Sequence, residues 1–120
     1  MMKNPIGTHI VADLWHCDSD HLFKLNMEEI KRKVSEIIKK HGFNELGNYY
    51  HLFENNSFTG VVALSESHVS MHTWPELGIV NMDVYTCNYE RDNTQSTRDA
   101  FLEIANLFGK SEINKTEIRR

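Results

Sequence analysis

The chain has 120 residues, of which 40% are hydrophobic and 25% are charged, and this length fits one domain with its own core. Lys and Arg total 13 against 17 Asp and Glu, and the basic residues form no long block, so the net charge of -4 argues against nucleic-acid binding. No apolar run approaches the roughly 18 residues that span a bilayer, and the first residues lack the apolar core of a signal peptide. We therefore expect a soluble, cytoplasmic protein that binds neither nucleic acid nor membrane.

The first part of the chain predicts a strand and a helix. Residues 6–15 alternate apolar and polar side chains, as a strand does, and the turn-forming residues 17–20 end it. Asn26 is a favourable N-cap, and Glu29 three residues later completes a capping-box pattern. Gly42 ends the helix that follows. The apolar stripe that this helix turns toward a sheet consists of Ile30, Val34, Ile37 and Ile38.

The rest of the chain predicts a series of strands and one more helix. The predicted strands cover residues 45–54, 57–64, 69–74, 79–87 and 112–118, and the first two form a hairpin. The second helix begins near Thr94 or Ser96, runs to Phe108 and is ended by Gly109. The order βαββββαβ predicts an α+β fold, a two-layer sandwich with two helices packed on one face of an antiparallel sheet. We expect residues 1–120 to form this single domain.

Residues 65–76 bring hydroxyl, imidazole and carboxylate side chains together within a dozen positions. If His68, Ser70 and His72 lie on one strand, the period of two places all three on the same face of the sheet. A spacing of four residues aligns two metal ligands on a helix but separates them on a strand, so we expect no metal site at the two histidines. Ser67 follows a polar corner between two apolar runs, and this pattern alone fits a turn serine as well as a reactive one.

Four residues outside this segment also have side chains of chemical interest. Cys17 and Cys87 are too few to hold together a fold of this size by disulfides, so we expect reduced thiols, with Cys17 as a small buried hydrophobe. A disulfide between the two is the alternative. His9 and His16 fit ordinary strand and loop positions.

Ordered motifs extend over most of the chain. They are Gly7-Thr8-His9-Ile10-Val11-Ala12-Asp13 with Cys17-Asp18, then Glu66-Ser67-His68, then His72-Thr73-Trp74-Pro75-Glu76 with Gly78, and finally Asp83-Val84-Tyr85-Thr86-Cys87. This series resembles the small prokaryotic S-adenosylmethionine decarboxylases, a family that makes its own pyruvoyl cofactor. The resemblance covers about residues 7–87 and the later helix pattern.

The resemblance implies a cofactor made from the chain itself. Decarboxylation of an α-amino acid leaves electrons on the α-carbon, and a carbonyl that forms a Schiff base with the substrate amine accepts them. In the family, the serine that matches Ser67 attacks the carbonyl of the preceding residue, here Glu66, and the resulting ester eliminates and hydrolyses. This would leave one chain that ends at Glu66 and a second that begins with a pyruvoyl group derived from Ser67. Such an acyl shift needs a strained peptide and donors for its oxyanion.

The resemblance also assigns roles to other side chains. His72 matches the histidine that removes the serine-derived α-proton during processing, and Cys87 matches the proton donor to the decarboxylated carbon. Thr59 stands where the family usually has a serine that assists processing, and it keeps the hydroxyl. The residues that match substrate-binding positions are Phe53, Trp74 and Glu76. Aromatic rings attract a sulfonium, and a carboxylate accepts hydrogen bonds from a ribose diol.

The implied function is decarboxylation of S-adenosylmethionine to the aminopropyl donor for spermidine synthesis. The implied assembly is a homodimer of processed chain pairs with sites at the interface. One alternative is a pyruvoyl-dependent arginine or ornithine decarboxylase that retains the same processing. Another is a non-catalytic subunit that is never cut.

Overall fold

The computed structural model describes residues 6–88 and 91–120, and it has the predicted α+β architecture. The elements are β1 (Gly7–Trp15), α1 (Ser19–Phe23), α2 (Met27–Lys40), β2 (Glu45–Leu52), β3 (Phe58–Leu64), β4 (Ser67–Trp74), β5 (Ile79–Cys87), α3 (Thr94–Asn106) and β6 (Glu112–Arg119). In the described residues no helix is both long enough and apolar enough to cross a membrane.

The short helix α1 was not predicted, because its sequence contains residues that also favour turns. The Asp18 carboxylate accepts hydrogen bonds from the backbone N–H groups of Asp20 and His21, and this cap begins a helical turn. Leu22 lies on the buried side of that turn and packs into the core. The segment predicted as a turn is therefore a turn followed by a five-residue helix.

Helix α2 begins as predicted but with half of the expected capping box. The Asn26 side chain accepts a hydrogen bond of 2.9 Å from the backbone N–H of Glu29. The Glu29 carboxylate does not return to Asn26; it pairs with Lys33 one turn later at 3.1 Å. The predicted apolar stripe is buried, as Ile30, Val34, Ile37 and Ile38 all belong to the core.

The six strands form one antiparallel sheet in the order β2-β3-β4-β5-β1-β6. Strands β4 and β5 lie in its middle, and their register pairs Ser67 with Thr86. Strand β3 runs on the other side of β4, and there Thr59 pairs with His72. The sheet therefore fixes the neighbours of every candidate site residue that lies on β4.

The helices cover only one face of the sheet. Along β4 the buried residues Val69, Met71 and Thr73 alternate with the more exposed residues His68, Ser70, His72 and Trp74. The buried set joins α2 and α3 in one core, whose largest fully buried side chains include Phe58, Phe101 and Phe108. The prediction that His68, Ser70 and His72 share a face is confirmed. We call this second face, on which no helix of the described residues packs, the open face.

Candidate active site

The corner between β3 and β4 is held in place by Asn44. The Ser65 N–H donates to the Asn44 carbonyl at 2.9 Å, and the Asn44 side-chain amide donates to the Ser65 hydroxyl at 2.7 Å. The backbone N–H of Asn44 also donates to the Glu66 carboxylate at 3.1 Å. These bonds fix the peptide that precedes Ser67.

Ser67 itself has an unfavourable backbone conformation. Its φ angle is 150°, a value that residues with a side chain rarely adopt. Such a conformation costs on the order of 1–3 kcal/mol and persists only where the surroundings enforce it. Here the Asn44 contacts on one side and the β4–β5 pairing on the other enforce it. The backbone is therefore strained at Ser67, next to the peptide that an acyl shift would break.

The carbonyl of Glu66 has a hydrogen-bond donor in place. Since Ser67 pairs with Thr86, the next residue of β5, Cys87, lies beside Glu66, and its backbone N–H donates to the Glu66 oxygen at 2.9 Å. A donor at this position would stabilise the oxyanion that forms when a nucleophile attacks the carbonyl. The Cys87 side chain is a partly exposed free thiol, whereas that of Cys17 is free and buried, as predicted for Cys17.

A chain of contacts leads from Ser67 through His68 to other polar side chains on the open face. The Ser67 hydroxyl lies 3.2 Å from His68 Nδ1, and His68 Nε2 lies 3.5 Å from Asp83 Oδ1. The other oxygen of Asp83 lies 3.0 Å from His9 Nε2, and the Ser70 hydroxyl donates to Asp83 Oδ1. We call Ser67, His68, Ser70, Asp83 and His9 the serine cluster.

Most contacts of the serine cluster are not predictable from local sequence patterns. His9 fits an ordinary strand position in the sequence, but in the structure it contacts a carboxylate 74 positions away in the chain. Burial disfavours ionisation of Asp83, but hydrogen bonds from Ser70 and His9 outweigh it and hold the pKa of this carboxyl below its ordinary value. Asp83 lies within one of the motifs. A carboxylate between apolar neighbours of a central strand is the sequence feature that could have marked it as a functional residue.

A second group of candidate residues surrounds His72. The Thr59 hydroxyl lies 2.6 Å from His72 Nδ1, and the His72 ring lies 4.3 Å from that of Trp74 and 6.0 Å from that of Phe53. Burial lowers the pKa of His72, and the carboxylate of Glu76 only partly opposes this. His72 is therefore a neutral imidazole near neutral pH, able to accept a proton. We call Thr59, His72, Phe53, Trp74 and Glu76 the histidine cluster.

Within one chain the two clusters do not meet. Ser67 and His72 lie five residues apart on β4, roughly 16 Å along a strand that rises about 3.3 Å per residue. A groove of about 440 Å³ on the open face lies between them, lined among others by Thr59, His72, Ser70 and Asp83. The structure thus places Ser67, Glu66 and Cys87 together, and Thr59, Phe53, Trp74 and Glu76 around His72. It does not bring the two sets into contact in one chain.

Three residues of the serine cluster have the types that bind metals, but their hydrogen bonds do not fit a metal site. Ligand atoms of His9, His68 and Asp83 lie within 4.8 Å of one another. Arg120 Nη1 lies 3.2 Å from His9 Nδ1, and a guanidinium can only donate, so Nδ1 is the acceptor. We therefore assign the ring proton of His9 to Nε2, which donates it to Asp83 and leaves no lone pair there for a metal.

Glycine in a strand is usually less stable than alanine, and the strain at Ser67 predicts the opposite order of stability at this position. Ser67→Gly is expected to be more stable than Ser67→Ala by about 1 kcal/mol, because glycine relieves backbone strain of about 1–3 kcal/mol and loses part of this gain in chain entropy. Both variants lack the hydroxyl, so self-cleavage cannot interfere. Urea unfolding of the two variants measures the difference.

Ser70 is the matched control for this comparison, since it lies on the same strand without a positive φ. There Ser70→Gly should be less stable than Ser70→Ala. If glycine is the less stable variant at both positions, Ser67 is not strained.

Comparison with known proteins identifies the family. A family model described as "S-adenosylmethionine decarboxylase" matches residues 8–120. A protein of Aquifex aeolicus named "S-adenosylmethionine decarboxylase proenzyme" is 40% identical over 86 residues, which are 72% of this chain and 62% of that protein. Proteins of the same name from Archaeoglobus fulgidus and Thermoanaerobacter sp. are 37% identical over 99 residues and 35% identical over 117 residues. These matches cover 82% and 98% of this chain, and 85% and 90% of those proteins.

A solved structure supports the same relationship. The crystal structure of the adenosylmethionine decarboxylase from Aquifex aeolicus matches with a TM-score of 0.82 and 31% sequence identity. The match covers 98% of this chain and 92% of that one. Motifs, fold and relatives agree, and the family that the motifs predicted is confirmed: the chain belongs to the S-adenosylmethionine decarboxylase family.

Proposed function

We propose that this chain cuts itself between Glu66 and Ser67, carries a pyruvoyl group made from Ser67, and with it decarboxylates S-adenosylmethionine. One observation carries the proposal. The strained Ser67 follows a carbonyl that already accepts a hydrogen bond from the N–H of Cys87. The name "proenzyme" of the relatives agrees with self-processing.

The residues around the peptide suit each step of the cut. The Ser67 hydroxyl attacks the Glu66 carbonyl, and the oxyanion forms where the Cys87 N–H donates. Cleavage of the carbon–nitrogen bond leaves an ester and a free amine, and it relieves the backbone strain at Ser67. A base then removes the Ser67 α-proton, and Glu66 leaves as a carboxylate. Hydrolysis of the remaining enamine releases ammonia and leaves a ketone at position 67.

The base for the elimination comes from a second copy of the chain. His72 is neutral, but its own chain places it roughly 16 Å along β4 from Ser67. The open face also exposes apolar side chains, including Val11, Val61 and Tyr49, which a second sheet would cover. Two copies packed through their open faces would bring the partner's His72 to Ser67 and form two equivalent sites. The proposed assembly is therefore a homodimer of processed chain pairs.

The histidine cluster suits the substrate. Trp74 and Phe53 offer partly exposed rings beside His72, and aromatic faces attract the sulfonium of S-adenosylmethionine. Glu76 follows in the turn after β4, and its carboxylate can accept both hydroxyls of the ribose. The pyruvoyl carbonyl would supply the electron sink for decarboxylation. Cys87, whose backbone N–H bonds to the Glu66 carbonyl, has the thiol that would donate a proton to the decarboxylated carbon.

The product would be the aminopropyl donor for spermidine synthesis, formed in the cytoplasm. A pyruvoyl-dependent decarboxylase of arginine or ornithine and a subunit that is never cut remain the alternatives from sequence. None of the relatives named above supports either alternative, because all carry the name of the S-adenosylmethionine enzyme.

Two substitutions separate cleavage from catalysis. Ser67→Ala removes the nucleophile, so the purified protein should remain a single band on a denaturing gel. Cys87→Ala keeps the backbone N–H on the Glu66 carbonyl, so the cut should still occur, while carbon dioxide release falls by about 100-fold or more because the proton donor is lost. Two bands from Ser67→Ala would contradict the assignment of the nucleophile.

Mixed dimers test whether a site combines two chains. Neither Ser67→Ala nor His72→Ala should be cut alone. When the two differently tagged variants are refolded together and the mixed dimer is purified through both tags, the chain that carries His72→Ala should be cut. Its Ser67 then faces His72 of the partner subunit. A mixed dimer in which neither chain is cut would contradict the shared site.

Glu76 distinguishes the nucleoside substrate from the basic amino acids. Glu76→Gln should raise KM for S-adenosylmethionine by about tenfold or more with little change in kcat, because a charged hydrogen-bond acceptor is lost. Glu28→Gln, an exposed substitution on α2, serves as the control and should leave KM unchanged. An unchanged KM for Glu76→Gln, or faster carbon dioxide release from arginine or ornithine, would contradict the substrate assignment.

A further inference from the structure

We propose that His68 is the base that takes the hydroxyl proton of Ser67 during the acyl shift, and that Asp83, itself held by His9 and Ser70, positions it. The inference rests on the proposed self-cleavage and adds a residue for its first step. His72 acts only in the later elimination, so the two proton transfers use different histidines.

A hydrogen bond with the Ser67 hydroxyl and an ion-pair contact with Asp83 orient the lone pair of His68 toward the hydroxyl. His68 Nε2 faces Asp83 at 3.5 Å, and an ionised carboxylate can only accept, so this nitrogen carries the ring proton. The other nitrogen, Nδ1, is then an acceptor and lies 3.2 Å from the Ser67 hydroxyl. The Ser67 hydroxyl, the His68 imidazole and the Asp83 carboxylate are therefore arranged as in enzymes in which a histidine activates a serine nucleophile and a carboxylate orients the histidine.

Asp83 is held as the carboxylate that this arrangement needs. The Ser70 hydroxyl donates to one of its oxygens, and the Nε2–H of His9 donates to the other at 3.0 Å. Arg120 donates to the opposite side of the His9 ring at 3.2 Å, which fixes the tautomer of that histidine. These contacts hold Asp83 ionised, and the carboxylate stabilises the imidazolium that forms when His68 accepts a proton.

The ring of His68 is also held by its neighbours on the open face. It meets the rings of His9 and Tyr85 edge-on, with centroid distances of 5.8 Å and 5.9 Å. Tyr85 in turn packs against His9 at 4.9 Å. These contacts leave the His68 ring few alternative orientations while 37% of the side chain stays exposed.

The step needs no outside reagent. The Ser67 oxygen forms a bond to the Glu66 carbonyl carbon as its proton passes to His68 Nδ1, and the carbonyl electron pair moves to the oxygen that the Cys87 N–H holds. When the carbon–nitrogen bond breaks, the proton on His68 passes to the departing nitrogen of Ser67. The net change is an isomerisation of amide to ester, and His68 returns to its starting state.

Ester formation can be measured separately from the later steps. In a His72→Ala parent the elimination is blocked, so the ester should accumulate, and hydroxylamine should cut it to a hydroxamate at Glu66. In that background His68→Ala and His68→Gln should both slow hydroxylamine-dependent cutting about 100-fold or more, since neither side chain accepts a proton. Asp83→Asn should slow it about tenfold or more. The matched control, His16→Asn in an exposed loop, should leave the rate unchanged.

Added imidazole distinguishes a base from a structural contact. It should restore part of the rate in the His68→Ala variant, because a small base can occupy the space that the ring left, and thermal unfolding checks that each variant is folded. If His68→Gln forms the ester as fast as the parent, His68 is only a structural contact and the inference is overturned. A wild-type protein that is never cut would overturn the proposed function as well, so the two failures are distinguishable.

Discussion

The hydrogen bond from the Cys87 N–H to the Glu66 carbonyl is the contact on which the candidate site depends. It exists because β4 and β5 pair in a register that sets Ser67 against Thr86. A slip of one residue would turn every side chain of β4 to the opposite face and move the carbonyl away from its donor. The buried residues of both strands prevent this slip, since their alternation anchors them to the helices. The packing that stabilises the fold therefore also holds the Glu66 carbonyl against the N–H of Cys87.

The distribution of side chains over the two faces of the sheet explains why one chain holds two incomplete clusters. The helices bury one face, and the candidate chemistry occupies the other. The nucleophile lies at the start of β4, while the neutral imidazole and the aromatic rings lie near its end. The two ends of one strand cannot come together. A second sheet packed against the first can bring the imidazole of one chain to the nucleophile of the other, and this geometry is the physical reason for proposing a homodimer.

Much of the fold followed from the sequence because its patterns are local. The strand over residues 79–87 was predicted with the bounds that the structure has, and the apolar stripe of α2 lies where its spacing indicated. Helix α1 escaped prediction because its capping residues also form turns. The Asp83–His9 contact could not be predicted, since it depends on the pairing of β1 with β5 across 74 positions. The strain at Ser67 likewise arises from tertiary contacts that no local pattern encodes.

The decisive measurement is the mass of the fragment that begins at position 67 in purified wild-type protein. We expect fragments 1–66 and 67–120, the second lighter by one ammonia than a fragment with an amino-terminal serine and reactive toward carbonyl reagents. Active protein that still contains an unaltered Ser67 would rule out a pyruvoyl mechanism, because no chain-derived ketone would then be present to accept the electrons of decarboxylation.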